Sequence, residues 1–398
     1  MKKVIWIVLD SVGMGALPDA KLFNDAGANT IAHTWQYNNG LDIPNLLKLG
    51  YGNIDGMDVL PDCEKPMAAY ARAMELSNGK DTTVGHWEMA GIISEKAFPT
   101  YPEGFPEPVI DEFIKKTGVK GVLGNCVASG TEIIKELGTL QKETGKPIVY
   151  TSADSVFQIA AYVGKDDSPN ETDEVKLNEL YRQCKIARSI LTGEHEVARV
   201  IARPFVGCEG NYTRTSDRRD FAILPPENNL LFCLKKQGFD VVGIGKIEDI
   251  FAGSGITEAI HTKDNEDGMD VTINYVQKDY NGLIFTNLVE FDSKWGHRRD
   301  AKGYGEGLEA FDKRLAELMA VMNEEDILII NADHGCDPVF KGTDHTREYV
   351  PVLIYGKNIN PVNLGTIESF ADIGSTVADY LGANRLANGK SFLDRIMR

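Results

Sequence analysis

Six side chains that could bind metal ions lie at or after the ends of three apolar segments. They are Asp10, Asp292, His297, Asp333, His334 and His345. Because ligands of open α/β sheets gather at the carboxyl ends of strands, three strand ends could bring their aspartates to one crevice. A single aspartate at a strand end is more often a turn or helix-capping residue. The prediction therefore depends on all three meeting, together with three of only seven histidines in the chain.

These ligands favour a two-metal centre. Mixed carboxylate and imidazole ligands suit manganese, zinc or iron, whereas calcium and magnesium prefer shells made of oxygen alone. In phosphoryl transfer, one cation lowers the pKa of the attacking hydroxyl and another neutralises charge on the leaving and equatorial oxygens. The six residues therefore predict phosphoryl transfer, which also needs a nucleophile.

The candidate nucleophile is Thr82, in a segment of glycines and small polar residues that leads into a predicted helix (residues 77–88). Unpaired N–H groups and the dipole at a helix start favour a phosphate, so a hydroxyl there could be phosphorylated. An ordinary capping box, with Thr82 or Thr83 as the cap and no chemistry, is the alternative, and this segment alone favours it.

Taken together, these residues resemble the metal and nucleophile pattern of the alkaline phosphatase superfamily. Residues 79–88, 292–300 and 332–338 resemble the phosphopentomutases within it, and the similarity runs along the whole chain, with no departure at a ligand position. The resemblance implies an α/β fold with an alkaline-phosphatase-like core. In that core a central, mostly parallel sheet is flanked by helices, and a smaller α+β cap domain is inserted into it.

The resemblance also implies how the ligands are shared. One manganese ion would be held by Asp292, His297 and His345, and the other by Asp10, Asp333, His334 and the Thr82 oxygen. Phosphopentomutases are isomerases that interconvert ribose 1-phosphate and ribose 5-phosphate, and the 2-deoxyribose pair, in nucleoside salvage. Phosphorylated Thr82 would donate its phosphoryl group to the incoming monophosphate and regain the other phosphate from the bisphosphate intermediate. Glucose 1,6-bisphosphate is the expected activator.

Other functions remain open at this point. A metal-dependent phosphatase or a cofactor-independent phosphoglycerate mutase would use the same metal core. A sulfatase is disfavoured because the sequence has no Cys-x-Pro-x-Arg segment. A catalytically silent metal-binding or scaffold protein is disfavoured because such a protein would be expected to have lost a ligand or the threonine.

Substrate-binding residues are sought in the inserted module. Asp154 follows a predicted strand and could bind sugar hydroxyls, while Arg199, Arg203 and Arg214 could bind the phosphate that is not reacting, because the arginine fork pairs bidentately with phosphate oxygens. The family parallel favours Asp154, Arg199 and the core residue Lys246. Any single arginine is more often a solvated charge or an ion-pair partner.

Several elements could position these groups. Residues 4–9, 241–244, 283–289 and 327–330 are short, β-branched and apolar, which predicts buried parallel strands. Apolar residues at helical spacing predict one helix with a single apolar face. They are Leu308, Phe311, Leu315, Leu318, Met319 and Met322. This alternation of strands and helices is α/β order.

Two segments are interpreted as hinges around the inserted module. Residues 98–108 contain four prolines, and residues 211–220 are polar and rich in arginine. We therefore predict core residues 1–97, an inserted cap at 98–220, and core residues 221–398.

Composition limits the partners. The 398 residues carry a formal charge of −17, which disfavours nucleic acids and anionic membranes as general partners. The N-terminal segment is interpreted as a strand and not as a signal peptide, and no apolar run approaches the roughly 18 residues of a membrane span. Six scattered cysteines fit reduced thiols and a cytoplasmic location, with Cys336 interpreted as a small buried filler. A phosphorylated pentose is the expected partner, and a monomer is one option for the oligomeric state.

Overall fold

The structure, a computed structural model, describes residues 2–152 and 154–398. Its contacts divide the chain into two units. The first comprises residues 2–97 together with Pro225–Arg398, and the second is Phe98–Leu224. The second junction lies at 224/225 and not at the predicted 220/221. The difference has a physical cause, because residues 219–222 form a strand that pairs inside the second unit.

The strands are numbered in chain order. They are β1 Lys3–Leu9, β2 Ala69–Ala73, β3 Leu123–Val127, β4 Ile148–Thr151, β5 Val156–Tyr162, β6 Arg199–Cys208, β7 Asn211–Arg214, β8 Arg219–Ala222, β9 Asp240–Ile244, β10 Glu258–Ile260, β11 Gly282–Leu288, β12 Ile327–Asn331, β13 Val350–Tyr355 and β14 Asn363–Ile367. The four strands predicted from the sequence correspond to β1, β9, β11 and β12, and their bounds agree within one residue.

The α-helices are numbered in the same way. They are α1 Thr30–Tyr37, α2 Pro44–Leu49, α3 Thr82–Met89, α4 Glu107–Thr117, α5 Gly130–Thr144, α6 Glu174–Ile190, α7 Leu230–Lys236, α8 Ile247–Ile250, α9 Asn265–Val276, α10 Ala301–Val321, α11 Ala371–Leu381 and α12 Leu393–Ile396. A π-helical turn, Phe291–Gly296, follows β11. Within the described residues, no helix combines the length and the apolar character needed to cross a membrane.

The first unit is built on an eight-stranded sheet in the order β10-β9-β11-β1-β12-β13-β2-β14. The strands run parallel except at β13, which is antiparallel to both of its neighbours. β1 is buried along its whole length, as expected for a central strand covered on both faces. In the register, Leu9 lies opposite Leu288 of β11, and Val8 lies opposite Asn331 of β12. The carboxyl ends of these three strands are therefore level with one another.

Helix α10 carries the apolar face that the sequence predicts. Four of its six predicted residues are buried, namely Leu308, Phe311, Leu315 and Leu318. Met319 is only half-buried, and Met322 lies just beyond the end of the helix, as its C-cap. The buried side of α10 packs against α1, α2 and α9.

The second unit has its own sheet and core. Its strands are arranged β3-β4-β5-β6-β7, with β8 paired to β6. Alternate residues of β4 and β5 enter two separate hydrophobic clusters, since Val149 and Ile159 belong to one and Tyr150 and Ala160 to the other. Successive side chains of a strand point to opposite faces, so this sheet is covered on both sides.

Replacing Glu88 by alanine should destabilise the first unit. The buried Glu88 carboxylate accepts hydrogen bonds from the N–H groups of Leu76, Ser77 and Phe370, which its removal leaves unpaired. We expect a loss of about 3 kcal/mol in the free energy of unfolding, since each unsatisfied buried donor costs about 1–3 kcal/mol. Urea denaturation measures this loss.

The control for this measurement is Glu95→Ala, at an exposed position. Its effect should stay within about 0.5 kcal/mol, the range of ordinary surface substitutions. Equal midpoints for the two variants would contradict the structural role given to Glu88.

Candidate metal centre

The structure brings all six predicted metal-binding residues together at the carboxyl ends of β1, β11 and β12. Asp10 directly follows β1, Asp333 lies two residues beyond β12, and Asp292 lies in the π-helical turn after β11. These three carboxylates are buried. Three side-chain groups offer ligand atoms within 4.8 Å of one another. They are Asp10–Asp333–His334, Asp292–His334–His345 and Asp292–His297–Cys336.

Asp292 is the centre of one half of this cluster. Its Oδ1 lies 3.4 Å from His297 Nε2 and 3.3 Å from His345 Nε2. The Nδ1 atom of His297 contacts the Thr343 carbonyl oxygen at 2.6 Å. Because a carbonyl can only accept, Nδ1 carries the proton in this contact and donates it, which leaves Nε2 directed at Asp292.

His334 organises the other half. Its Nε2 lies 3.6 Å from Asp10 Oδ1 and 3.4 Å from Asp333 Oδ2. Its Nδ1 lies 3.0 Å from the Gly335 carbonyl oxygen, so Nε2 again faces the cluster. In both halves a backbone carbonyl orients the imidazole, as is usual for metal-binding histidines.

Four atoms of the cluster are buried without a hydrogen-bond partner. They are Asp10 Oδ1, Asp292 Oδ1, Asp333 Oδ2 and His345 Nε2. Burying polar or charged atoms without partners is costly unless a cation or a hydrogen bond compensates. The orphaned atoms face one another and include both oxygen and nitrogen ligands, so these residues fit divalent cations such as manganese, zinc or iron.

The pKa values in the cluster reflect the same crowding of charge. Burial raises the pKa of Asp10, and the carboxylates of Asp333 and Asp292 raise it further, against smaller opposing effects of His334 and Lys246. The close contact with the Asp292 carboxylate raises the pKa of His297 to about 12. Burial is the largest single effect on the pKa of His345 and lowers it, but the charge of Asp292 and its close contact with the imidazole together make the net shift upward. A bound cation would favour ionised carboxylates and neutral imidazoles instead.

Thr82 is the first residue of α3, and it does not cap that helix. The cap is Asp81, whose Oδ1 accepts hydrogen bonds from the N–H groups of Thr83 and Val84 at 3.1 and 3.2 Å. The interpretation of Thr82 or Thr83 as the capping residue is therefore wrong. The Thr82 hydroxyl points instead to His334, with 3.1 Å between Oγ1 and Nε2.

Two buried side chains that the sequence analysis missed lie beneath the cluster. Asn287 Nδ2 donates to Asp10 Oδ2 at 2.8 Å and lies 3.4 Å from His86 Nε2. His86 Nδ1 lies 2.9 Å from the Thr82 carbonyl oxygen and 3.2 Å from Asp333 Oδ2. An amide N–H can only donate, so Nε2 accepts and Nδ1 holds the proton that faces Thr82 and Asp333. The one sequence signal was a polar residue inside the apolar β11.

The backbone close to the cluster is tightly constrained. Ser11 has a φ of 73°, an uncommon value for a residue other than glycine, and its N–H donates to Asp333 Oδ1 at 2.9 Å. A Cβ on Gly85 would overlap the carbonyl oxygen of Asp333. Glycine therefore allows α3, and with it Thr82, to approach the end of β12. Cys336 is buried, as expected, and its Sγ lies 3.9 Å from His297 Nδ1.

The substrate-binding candidates of the second unit fall into two groups. Arg203 and Arg214 line a cavity of about 590 Å³, joined by Arg218, which the sequence analysis did not single out. Arg199 is not among the residues that line this cavity. Its guanidinium lies 3.7 Å from the Asp154 carboxylate and 3.5 Å from that of Asp220.

Lys246 belongs to the first unit, where it is exposed just before α8. It lies close enough to Asp10 for its charge to act on the pKa of that carboxyl.

Comparisons of the sequence and the structure with known proteins point to one family. The family model of the Metalloenzyme superfamily matches residues 2–385. The chain is 58% identical to a phosphopentomutase of Clostridium novyi, and the match covers all of both chains. It is 55% identical to a phosphopentomutase of Clostridioides difficile, over 98% of this chain and 99% of that one. The solved structure of the PH0037 protein from Pyrococcus horikoshii covers 98% of this chain and 99% of its own length, with a TM-score of 0.51 and 13% identity, which supports the fold alone.

Uptake of divalent cations should release protons and weaken as the pH falls. The contact with Asp292 raises the pKa of His297 to about 12, so its imidazole is protonated at neutral pH without metal, and a cation can bind Nε2 only after a proton leaves the ring. Calorimetric titration with Mn²⁺ in two buffers of different ionisation enthalpy measures the protons released. His297→Gln should lower their number, whereas His261→Gln, at an exposed position, should not. Uptake without proton release would refute this expectation.

Proposed function

This chain belongs to the phosphopentomutase family within the Metalloenzyme superfamily, and we propose that it interconverts α-D-ribose 1-phosphate and D-ribose 5-phosphate, and the 2-deoxyribose pair, through phosphorylated Thr82. It is an isomerase that uses divalent metal and acts on a phosphorylated sugar. The observation that carries the proposed mechanism is the Thr82 hydroxyl, which is free of capping and lies 3.1 Å from His334 Nε2.

The proposed reaction has two transfers. Phosphothreonine 82 donates its phosphoryl group to the free hydroxyl of a bound pentose monophosphate, and the P–O bond to Thr82 breaks as the new one forms. The resulting bisphosphate then returns its other phosphoryl group to Thr82, which yields the isomeric monophosphate. The start of α3 is suited to this role, because the helix dipole favours negative charge on its first residue.

We assign the metal ligands in two sets, with manganese as the proposed metal. The first set is Asp292, His297 and His345, and the second is Asp10, Asp333, His334 and the Thr82 oxygen. The short distances from Asp292 to both of its histidines, and from His334 to both of its aspartates, support this division. When bound, the cations would lower the pKa of the attacking hydroxyl and neutralise charge on the transferred phosphoryl group.

For the phosphate that is not reacting, we propose the arginines of the second unit. Burial lowers the pKa of Arg203, and the charges of Arg218 and Arg214 lower it further, so this cluster gains from a bound anion. Arginine forks bind phosphate oxygens bidentately, which favours the cavity lined by these three residues. Asp154, with Arg199 beside it, is the candidate for binding sugar hydroxyls, and Lys246 is a further candidate for the anionic substrate.

Three further proposals complete the assignment. Glucose 1,6-bisphosphate is the proposed activator, because a bisphosphate can phosphorylate Thr82 and start the cycle. The protein is proposed to act in the cytoplasm in nucleoside salvage. A monomer suffices for the mechanism, since every residue assigned to it belongs to one chain.

Thr82→Ala should abolish mutase turnover while leaving bound metal near its normal level, because the nucleophile is lost and six other ligands remain. Turnover is measured by coupled assay with ribose 1-phosphate, Mn²⁺ and a trace of glucose 1,6-bisphosphate. Thr82→Ser should retain measurable activity, and Thr83→Ala serves as the matched control. Substantial activity in Thr82→Ala would refute the nucleophile. Faster release of inorganic phosphate than isomerisation by the unaltered protein would indicate a phosphatase.

Arg214→Gln should raise the KM for ribose 5-phosphate by roughly 10- to 100-fold, since a hydrogen bond to a charged group contributes about 1.5–3 kcal/mol. The matched control is Arg219→Gln, whose guanidinium lies over the rings of Tyr181 and Phe221 and outside the cavity. An unchanged KM in Arg214→Gln would remove this residue from the proposed phosphate site.

A further inference from the structure

The loop that leads to Thr82, residues 75–81, is held by two buried ionic side chains. Glu88 binds its N–H groups, at 2.9 Å from Leu76 N and 2.6 Å from Ser77 N. Arg347 binds its carbonyl oxygens, at 2.9 Å for Glu75 and Ser77 and 2.6 Å for Gly79. The path of the backbone is therefore fixed from both sides directly before the nucleophile.

Arg347 makes further contacts with the same guanidinium. Its Nη1 lies 2.6 Å from Glu75 Oε2, and its Nη2 lies 3.0 Å from Asp19 Oδ2. The guanidinium also lies over the ring of Phe23, 5.1 Å from its centre. The Arg347 side chain is only 3% exposed, and the carboxylates of Asp19 and Glu75 compensate its buried charge. The planar guanidinium has five N–H donors that point in different directions and can reach all of these acceptors. The ammonium group of lysine has three donors on one nitrogen atom and cannot reach them all.

Arg347 also belongs to the chain segment that carries His345. Arg347 follows His345 by two positions, and its own N–H donates to Asp25 Oδ2 at 3.0 Å. That oxygen also accepts from Lys80, whose Nζ lies 3.1 Å from Asp344, the neighbour of His345. The loop and the segment that carries His345 are thus tied together at Arg347 and again at Lys80.

We propose that Arg347 is a positioning residue for phosphoryl transfer, which holds residues 75–81 so that the Thr82 hydroxyl stays beside His334. The inference rests on the proposed role of Thr82 as the phosphorylated residue. Because Arg347 touches the loop and not the aspartate and histidine ligands, its loss should displace the Thr82 hydroxyl and leave those six ligands in place. A displacement of about 1 Å at a reacting group can cost about 100-fold in rate.

The decisive variant is Arg347→Lys, which keeps the positive charge but cannot reach the carbonyls, Glu75 and Asp19 together. We expect kcat to fall by about 100-fold while KM for ribose 5-phosphate changes less than about threefold, the pattern of an interaction needed for the chemical step. The rate at which glucose 1,6-bisphosphate phosphorylates Thr82, followed by mass spectrometry, should fall in parallel. Bound Mn²⁺ should stay at the level of the unaltered protein.

The matched control is Arg72→Lys on β2, the strand that leads into the loop. The guanidinium of Arg72 also has two partners, since it donates a hydrogen bond to Thr366 and lies over the ring of Tyr349. Its kcat should remain within about threefold of normal, as for a substitution outside the machinery. A kcat of Arg347→Lys that equals that of this control, in folded protein, would overturn the inference.

Asp19→Asn keeps the inference testable if Arg347→Lys fails to fold. Asp19 is 41% exposed, and the substitution removes the negative charge of one partner of Arg347 while Glu75 remains. We expect about a tenfold lower kcat with an unchanged KM, and an unchanged kcat would count against the proposal. If Thr82 is never phosphorylated in the unaltered protein, the proposed function fails. If it is phosphorylated equally fast in Arg347→Lys, only the positioning role of Arg347 fails.

Discussion

The candidate metal centre depends on one constraint, which is the concentration of negative charge at the carboxyl ends of three adjacent strands, β1, β11 and β12. Asp10, Asp292 and Asp333 are buried close enough together for two of them to raise the pKa of the third. Without cations such an arrangement is costly, because one oxygen of each of these buried carboxylates lacks a hydrogen-bond partner. The register of β1, β11 and β12, and the orientation of the surrounding imidazoles, make sense as the means of holding divalent metal at this point.

Thr82, the proposed nucleophile, is placed in a different way, because a neighbouring side chain caps the helix and leaves the Thr82 hydroxyl free. Asp81 caps α3, so the Thr82 hydroxyl is available to face His334. Buried Glu88 and Arg347 then fix the backbone before it through its N–H and carbonyl groups respectively. Burying ionic side chains costs free energy of desolvation. In this loop the two buried side chains offset that cost with hydrogen bonds that fix the path of the backbone before Thr82.

The overall charge of −17 does not prevent the binding of an anionic sugar phosphate. Net charge acts across a screening length of about 8 Å at physiological salt, whereas in the proposed site metal ions and arginine forks would contact the phosphate directly. The second unit supplies such a group in Arg203, Arg214 and Arg218 around one cavity. It also has a core of its own on both faces of its sheet, which fits an element inserted into the chain.

The sequence by itself determined the central strands, the aspartates at their ends, the accompanying histidines and the inserted segment. These features follow from local apolar runs and from residue types at short spacing, which are visible along the chain. Only the tertiary structure decided that Asp81 is the helix cap, that Asn287 and His86 support the carboxylates, and that Arg347 holds the loop before Thr82. Packing sets these contacts: Arg347 and Gly79 are 268 residues apart in the chain, and no local periodicity records which buried donor will meet which acceptor.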